Sequence, residues 1–220
     1  MNFAEAREKM VDCQVRPCDV TDHQLLAAML TVPREAFLDV SLQEIAYLDR
    51  DIQISKKGVP ARYLMAATPL SKLIQLADPQ PDNVVLVIGA GCGYGCAIFS
   101  SLALSVVGIE EDETLASAAS ENLSRLGYDN VVVLTTPLSE GLEREGPYDV
   151  IFLEGSVEEI PKKLVDQLAE GGRLVTIIGE SSAAKATLYH KSNGLVGIRE
   201  SFNCSAPRLP GFEKTREFAF

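Results

Sequence analysis

Histidine is scarce, with only His23 and His190 in 220 residues, and basic residues are outnumbered by acidic ones, 20 against 31. The shortage of histidine, together with the want of a paired C-x-x-C, leaves no ligand set of zinc spacing, so no metal is expected. The shortage of basic residues leaves a net charge of -11. Such a field repels phosphate backbones and anionic lipid surfaces, so neither nucleic acid nor membrane is an expected partner. Long apolar runs are lacking too. The longest, 97–109, is shorter than a bilayer crossing and contains small polar residues, and Met1 to Glu8 has no apolar run behind its charges. Neither anchor nor targeting segment is expected. No internal repeat or low-complexity stretch interrupts the chain.

The cysteines, at 13, 18, 92, 96 and 204, are odd in number, and without a secretory signal they read as reduced thiols in a cytoplasmic protein. Cys92 and Cys96 flank Gly93-Tyr94-Gly95. A helix N-terminus there would lower a thiol pKa and make the pair redox-reactive; small buried fillers are the competing reading.

What is present is enough apolar residue, 46%, for one well-filled core with an appended segment. The expected organisation is a single domain, 1–220, with an N-terminal helical segment (1–80) and a core ending in a hairpin (81–220). In the first part, Thr21 to Gln24 has the capping-box pattern ahead of Leu25, Leu26, Met29 and Val32, so a helix begins there and stops before Pro33. Arg62 to Ala77 predicts a second helix, with Pro69 in its first turn or interrupting it. Pro79 to Asp82 is a turn and the natural junction.

Beyond Asn83 short apolar runs alternate with helical ones. The runs at 84–88, 105–109, 131–134, 150–153 and 173–178 read as buried parallel strands. The stretches 94–102, 113–126 and 160–168 are each long enough for a crossover helix. The fold class is therefore α/β: a Rossmann-like, doubly wound, mostly parallel sheet with antiparallel C-terminal strands and an N-terminal helical extension. The closing hairpin is expected from Thr187-Leu188-Tyr189 and Leu195 to Phe202, joined near Ser192-Asn193-Gly194.

The chemistry is expected at Gly89-Ala90-Gly91-Cys92-Gly93, which follows the first of these strands and opens a helix. Glycine is needed where backbone turns sharply and approaches a ligand, because a β-carbon would occupy ligand space. The second strand ends in Ile109-Glu110-Glu111, which sets a carboxylate where it can accept from both ribose hydroxyls of a nucleoside. A dinucleotide fingerprint wants glycine or alanine where this chain has Tyr94 or Cys96. The G-x-G-x-G spacing favours S-adenosylmethionine, while glycines serving only helix–strand packing are the alternative. Gly89, Gly91, Gly93, Glu110 and Glu111 are thus the candidate cofactor residues.

With those residues in place the chain resembles a class I methyltransferase, and more specifically the protein-L-isoaspartate O-methyltransferase family. The resemblance covers most of the chain. It rests on Met10 to Pro17, on Val32-Pro33-Arg34-Glu35-Ala36-Phe37 with Ala46 to Arg50, and further on Leu126 to Val131, Ser139-Glu140-Gly141, Pro147-Tyr148-Asp149 and Gly171 to Val175. It implies transfer of a methyl group from S-adenosylmethionine to a carboxylate, in an isoaspartyl-containing protein or peptide or in a small carboxylate, as protein repair. An ionised acceptor needs no general base, so the scarcity of histidine is no obstacle; orientation and exclusion of water are what the protein must supply.

Three positions depart from the family pattern. Val87 stands where the family has an acid before the loop. Pro137 takes the slot of an adenine-binding aspartate, leaving Leu138 beside it as the candidate contact. Met65 falls at the serine associated with the acceptor. The acceptor-site candidates are Met65, Arg62 and Glu154, with Lys56, Lys57 and Arg62 either facing an anionic substrate or forming a solvated basic cluster. Glu154 is either a replacement carboxylate at the sheet edge or a solvated loop acid. The tail 207–214 covers the cleft or packs at the edge. A methyltransferase of another substrate, and a non-catalytic relative (a pseudoenzyme) keeping the fold as a binding module, are the alternatives.

Overall fold

The computed structural model describes residues 2–56 and 59–214. Asn2 caps helix α1 (Phe3–Met10) by accepting from Glu5 N, and a π turn and a 3-10 turn lead to Asp19, which is left-handed at φ 66. Helix α2 (His23–Thr31) stops ahead of Pro33 as its sequence predicts, but its cap is Asp22, whose carboxylate accepts from Leu25 N at 2.9 Å, rather than Thr21. Both residues entering this helix donate their N–H groups to Gln75 Oε1, which fastens α2 to the next helix.

That next helix corrects the expectation for 62–77. Helix α3 runs Ala67–Ala77, with Pro69 in its first turn. Before it, Tyr63–Leu64 (β2) pairs antiparallel with Ile52–Gln53 (β1) in a short ribbon. Helical spacing of Leu64 with the later leucines is overridden because Leu64 is buried from the ribbon instead.

The main sheet has seven strands in the order β5-β4-β3-β6-β7-β8-β9. They are β3 (Val84–Ile88), β4 (Ser105–Glu110), β5 (Val131–Thr135), β6 (Tyr148–Val157), β7 (Leu168–Ile178), β8 (Lys185–Ser192) and β9 (Leu195–Asn203). The first five pair parallel and the last two form the expected antiparallel hairpin. Helices α4 (Tyr94–Ser100), α5 (Glu113–Arg125) and the short α6 (Lys162–Asp166) connect parallel strands. The strand order reverses between β3 and β6, and in such sheets the crevice outside the carboxyl ends at that point is where ligands sit.

The two faces of the sheet are covered unequally. On one, Val85, Val87, Phe152 and Val175 share an apolar cluster with Met10, Leu25, Met29, Leu70, Phe99 and Leu123, so the N-terminal helices and the sheet have a common core. On the other, Leu86, Ile88, Ile109, Ile151 and Leu153 are covered by Leu138, Leu164, Leu209 and Phe212. Helix α6 is too short to cover that face alone. The C-terminal segment completes it by running beside β6: Ser156 N donates to Pro207 O at 2.9 Å, and Leu209 N donates to Ser156 O at 2.8 Å.

Candidate functional site

The glycine loop is tied to the strand that carries its carboxylate. The N–H groups of Gly89 and Ala90 both donate to Ile109 O, at 2.9 and 3.0 Å, so the loop turns directly over the end of β4. Gly89, Gly91 and Gly93 have φ of 82, 54 and 93°, a region in which an L side chain is strained. The sequence thus has glycine at each position where the turn demands it.

Glu110 closes β4 and is fully buried. Its Oε2 accepts from Gly91 N and from Arg62 Nη2, both at 2.8 Å. Its Oε1 accepts from Glu111 N at 3.0 Å, Arg62 Nε at 3.3 Å and Asp112 N at 3.4 Å. A carboxylate offers about four lone-pair sites, so these donors saturate it. Arg62, 3% exposed, is set in place by the ribbon: its N–H donates to Ser55 Oγ at 2.9 Å and its carbonyl accepts from Ile54 N at 2.9 Å. Burying two ions costs several kcal/mol each, and their attraction offsets this only with good geometry and further hydrogen bonds; the main-chain donors supply them.

The space left by the glycines is filled. A β-carbon on Gly89 would lie 2.7 Å from Arg62 Nη2 and 2.8 Å from Leu209 Cδ2, and one on Gly91 would lie 3.0 Å from Ile54 Cδ1. Ile54 and Leu209 were not singled out from the sequence. Leu209 lies in the tail whose covering role was left open, and its neighbour Gly155 is the nearest thing to a signal, since a β-carbon there would meet Leu209 Cγ at 2.7 Å. A ribose needs both Glu110 oxygens and room above Gly89. With Arg62 and Leu209 as they stand, both Glu110 oxygens and the space above Gly89 are taken, and a nucleoside enters only when these two side-chain ends move.

Open space remains beside the loop. A cleft of about 330 Å³ includes Ile54, Lys56, Cys92, Asp112, Leu115 and Asn122 in its walls. Another, of about 210 Å³, is lined by Val59, Pro60, Arg62, Glu111 and Asp112. Glu111 therefore stands at a cleft wall, next to but apart from the buried carboxylate.

The remaining candidates are dispersed. Leu138 is buried in the second apolar cluster with Phe212, while Pro137 beside it is exposed. Met65 is packed in the main core at 1% exposure, where its carbonyl accepts from Arg34 Nη2 at 2.7 Å. The Arg62 guanidinium is held by Glu110, which corrects the reading of it as part of a solvated basic cluster; Lys57 lies outside the described residues. Glu154 is also corrected: it is no solvated acid but buried at 6% exposure, with Oε2 unpartnered. A β-carbon on Gly95 would meet that oxygen at 2.1 Å, so the carboxyl rests against the first turn of α4. Burial raises its pKa to about 8, against the opposing pull of Arg62 and Arg34.

The thiols follow the filler reading. Cys92 and Cys96 are buried, and burial followed by the nearby Glu154 pushes Cys92 up to about 12 and Cys96 well above the ordinary thiol value. The redox expectation, which needed a lowered pKa, is thereby overturned: dehydration and the neighbouring Glu154 both disfavour the thiolate. Among the described residues no group of three or more His, Cys, Asp or Glu is placed to hold a metal ion, and no helix is long and apolar enough to cross a membrane.

A seven-stranded sheet of this order, a glycine loop after its first parallel strand and an acid closing the second define a class I methyltransferase fold. Within that class the chain belongs to the protein-L-isoaspartate(D-aspartate) O-methyltransferase family, whose family model matches residues 5–205. Members of this family are S-adenosylmethionine-dependent methyltransferases that act on isoaspartyl proteins or peptides. The chain is 35% identical over 206 residues to protein-L-isoaspartate O-methyltransferase 1 of Syntrophobacter fumaroxidans, covering 90% of this chain and 94% of that one. It is 35% identical over 210 residues to the enzyme of that name from Koribacter versatilis, covering 95% and 92%. A solved protein-L-isoaspartate O-methyltransferase superposes with a TM-score of 0.82 at 26% identity, covering 93% of this chain and 66% of that one. A putative one from Plasmodium falciparum, in complex with S-adenosyl-L-homocysteine, superposes with a TM-score of 0.74 at 25% identity, covering 94% and 97%.

Proposed function

We propose that this chain is a cytoplasmic carboxyl methyltransferase of protein repair, taking its methyl group from S-adenosylmethionine and acting on isoaspartyl residues of proteins or peptides. The observation that carries this is the register of Glu110 with the glycine loop: an acid ends β4 directly beside the turn that the loop makes over that strand, which is where such sheets set the carboxylate that accepts from ribose hydroxyls. An isoaspartyl carboxylate is ionised at neutral pH and needs no base. Glu154, keeping its proton up to about pH 8, sets no negative charge against such an acceptor at the sheet edge. The assay is methyl ester formation on an isoaspartyl peptide with the matching aspartyl peptide as control. Ester on the first and not the second supports the reading; ester on neither, with the methyl donor bound, points to another acceptor. The Arg62–Glu110 pair favours a second reading, a relative that keeps the fold as a binding module. Absence of any binding of the donor or of S-adenosyl-L-homocysteine at millimolar concentration would select it.

A further inference from the structure

The carboxylate that suits a sugar is held by a cation of the same chain, and the way it is held is not that of a chance surface contact. Arg62 reaches Glu110 through two nitrogens, Nε and Nη2, from a ribbon whose hydrogen bonds fix its backbone. Both partners are buried, with side-chain exposures of 4% and 0%. Leu209 occupies the space above Gly89 beside the guanidinium, and it is fastened there by main-chain pairing with Ser156 and admitted by the bare backbone of Gly155. Two elements far apart in sequence, one before the sheet and one after it, thus converge on the same hollow.

We infer that Arg62 is an internal competitor for the nucleoside site: with Leu209 it takes the place of the donor's ribose, so the chain binds a methyl donor only to the extent that Arg62 leaves Glu110. This rests on the reading of Glu110 as the sugar-binding carboxylate. When the binding-competent state is a fraction of the population, apparent affinity falls by that fraction. Removing the competitor raises it by the same factor.

The test is calorimetric titration of S-adenosyl-L-homocysteine into the native chain, Arg62→Ala and Leu209→Ala, together with hydrogen exchange of the ligand-free proteins at the amides of Gly91, Glu111 and Asp112. Thermal melts confirm that each variant is folded, and Leu209→Ala keeps the test available if Arg62→Ala is not. The expected result is binding at least tenfold tighter in Arg62→Ala than in the native chain, which is about 1.4 kcal/mol, with a smaller gain in Leu209→Ala, which leaves Arg62 on Glu110, and with the three amides still protected in Arg62→Ala because Glu110 goes on accepting from them. Native binding within twofold of both variants overturns the inference and leaves the donor reading standing. If neither the native chain nor either variant binds at millimolar ligand, the donor reading fails and the inference falls with it.

Discussion

Glu154 is an acid that the fold keeps neutral, and replacing it with glutamine makes the consequence measurable. Its carboxyl is buried against Gly95 and holds its proton up to about 8, because dehydration of the charged form outweighs the attraction of Arg62 and Arg34; Glu110 nearby pushes in the same direction as burial. The same group in the unfolded chain gives up its proton near 4.5. Its folded pKa is raised, so the stability it contributes is whole below about 4.5, declines as pH rises, and is gone above about 8. The decline is about 1.4 kcal/mol per pH unit and reaches about 5 kcal/mol over the full window, as an order of magnitude. In Glu154→Gln nothing ionises. Urea unfolding of both proteins at pH 5, 6, 7, 8 and 9 gives the stability difference, in which every other titrating group cancels to first order. The variant should gain on the native chain by several kcal/mol between pH 5 and 8 and by nothing more at pH 9. A difference that is the same at pH 5 and pH 8 would mean that Glu154 is ionised in the fold, and the reasoning from burial would be refuted.

The Arg62–Glu110 pair should respond unequally to loss of either member. Glu110→Gln strands a buried guanidinium and is expected to cost about 3–5 kcal/mol, whereas Arg62→Ala leaves Glu110 accepting from Gly91, Glu111 and Asp112 N–H and costs less; urea midpoints in the reverse order would contradict this. Val87 is fully buried in the apolar cluster, so Val87→Asp should lower stability by at least about 2 kcal/mol, read as a fall in Tm, and an unchanged Tm would mean that the acid finds a partner or water there. Of the five thiols, exposed Cys13 should be labelled first by a thiol reagent at pH 8, and Cys92 and Cys96 only as the chain unfolds; mass mapping of labelled peptides reads the order, and early labelling of Cys92 would refute it.

The sheet was legible because buried parallel strands are continuous runs of branched apolar residues. Val84–Ile88 appears as read, and Ser105–Glu110 and Val131–Thr135 each run one residue longer. The hairpin was legible from its turn, since Asn193 and Gly194 both take the positive φ that such a connection needs. The start of α3 was not, because Arg62, Tyr63 and Leu64 fit a helical period and are drawn into a ribbon only by partners seven to twelve residues away. The loop and its acid were legible as a motif. What closes them was not: Arg62 and Glu110 are 48 residues apart, and no local pattern says that one will reach the other. The burial of Glu154, which excludes the solvated alternative, was not legible for a related reason. The end of a strand is usually wet, but β6 continues to Val157 and the C-terminal segment lies along it, so the acid at its carboxyl end stays dry.

Taken together, the acids of this hollow point to one constraint. A cleft that waits open for a polar cofactor can line itself with carboxylates, because water and then the ligand solvate them. A hollow closed by the chain's own side chains cannot, since each buried carboxylate must be replaced, paired or protonated. All three remedies occur within the same few residues. Val87 stands where the family resemblance calls for an acid and is fully buried; Glu110 is paired with Arg62 and three main-chain N–H groups; Glu154 holds its proton. Val87 and the Arg62–Glu110 pair thus serve the same end, the stability of the closed form. By the same argument, opening the site exposes Glu110 and Arg62 to water together, so the charges that hold it shut cost little once it is open.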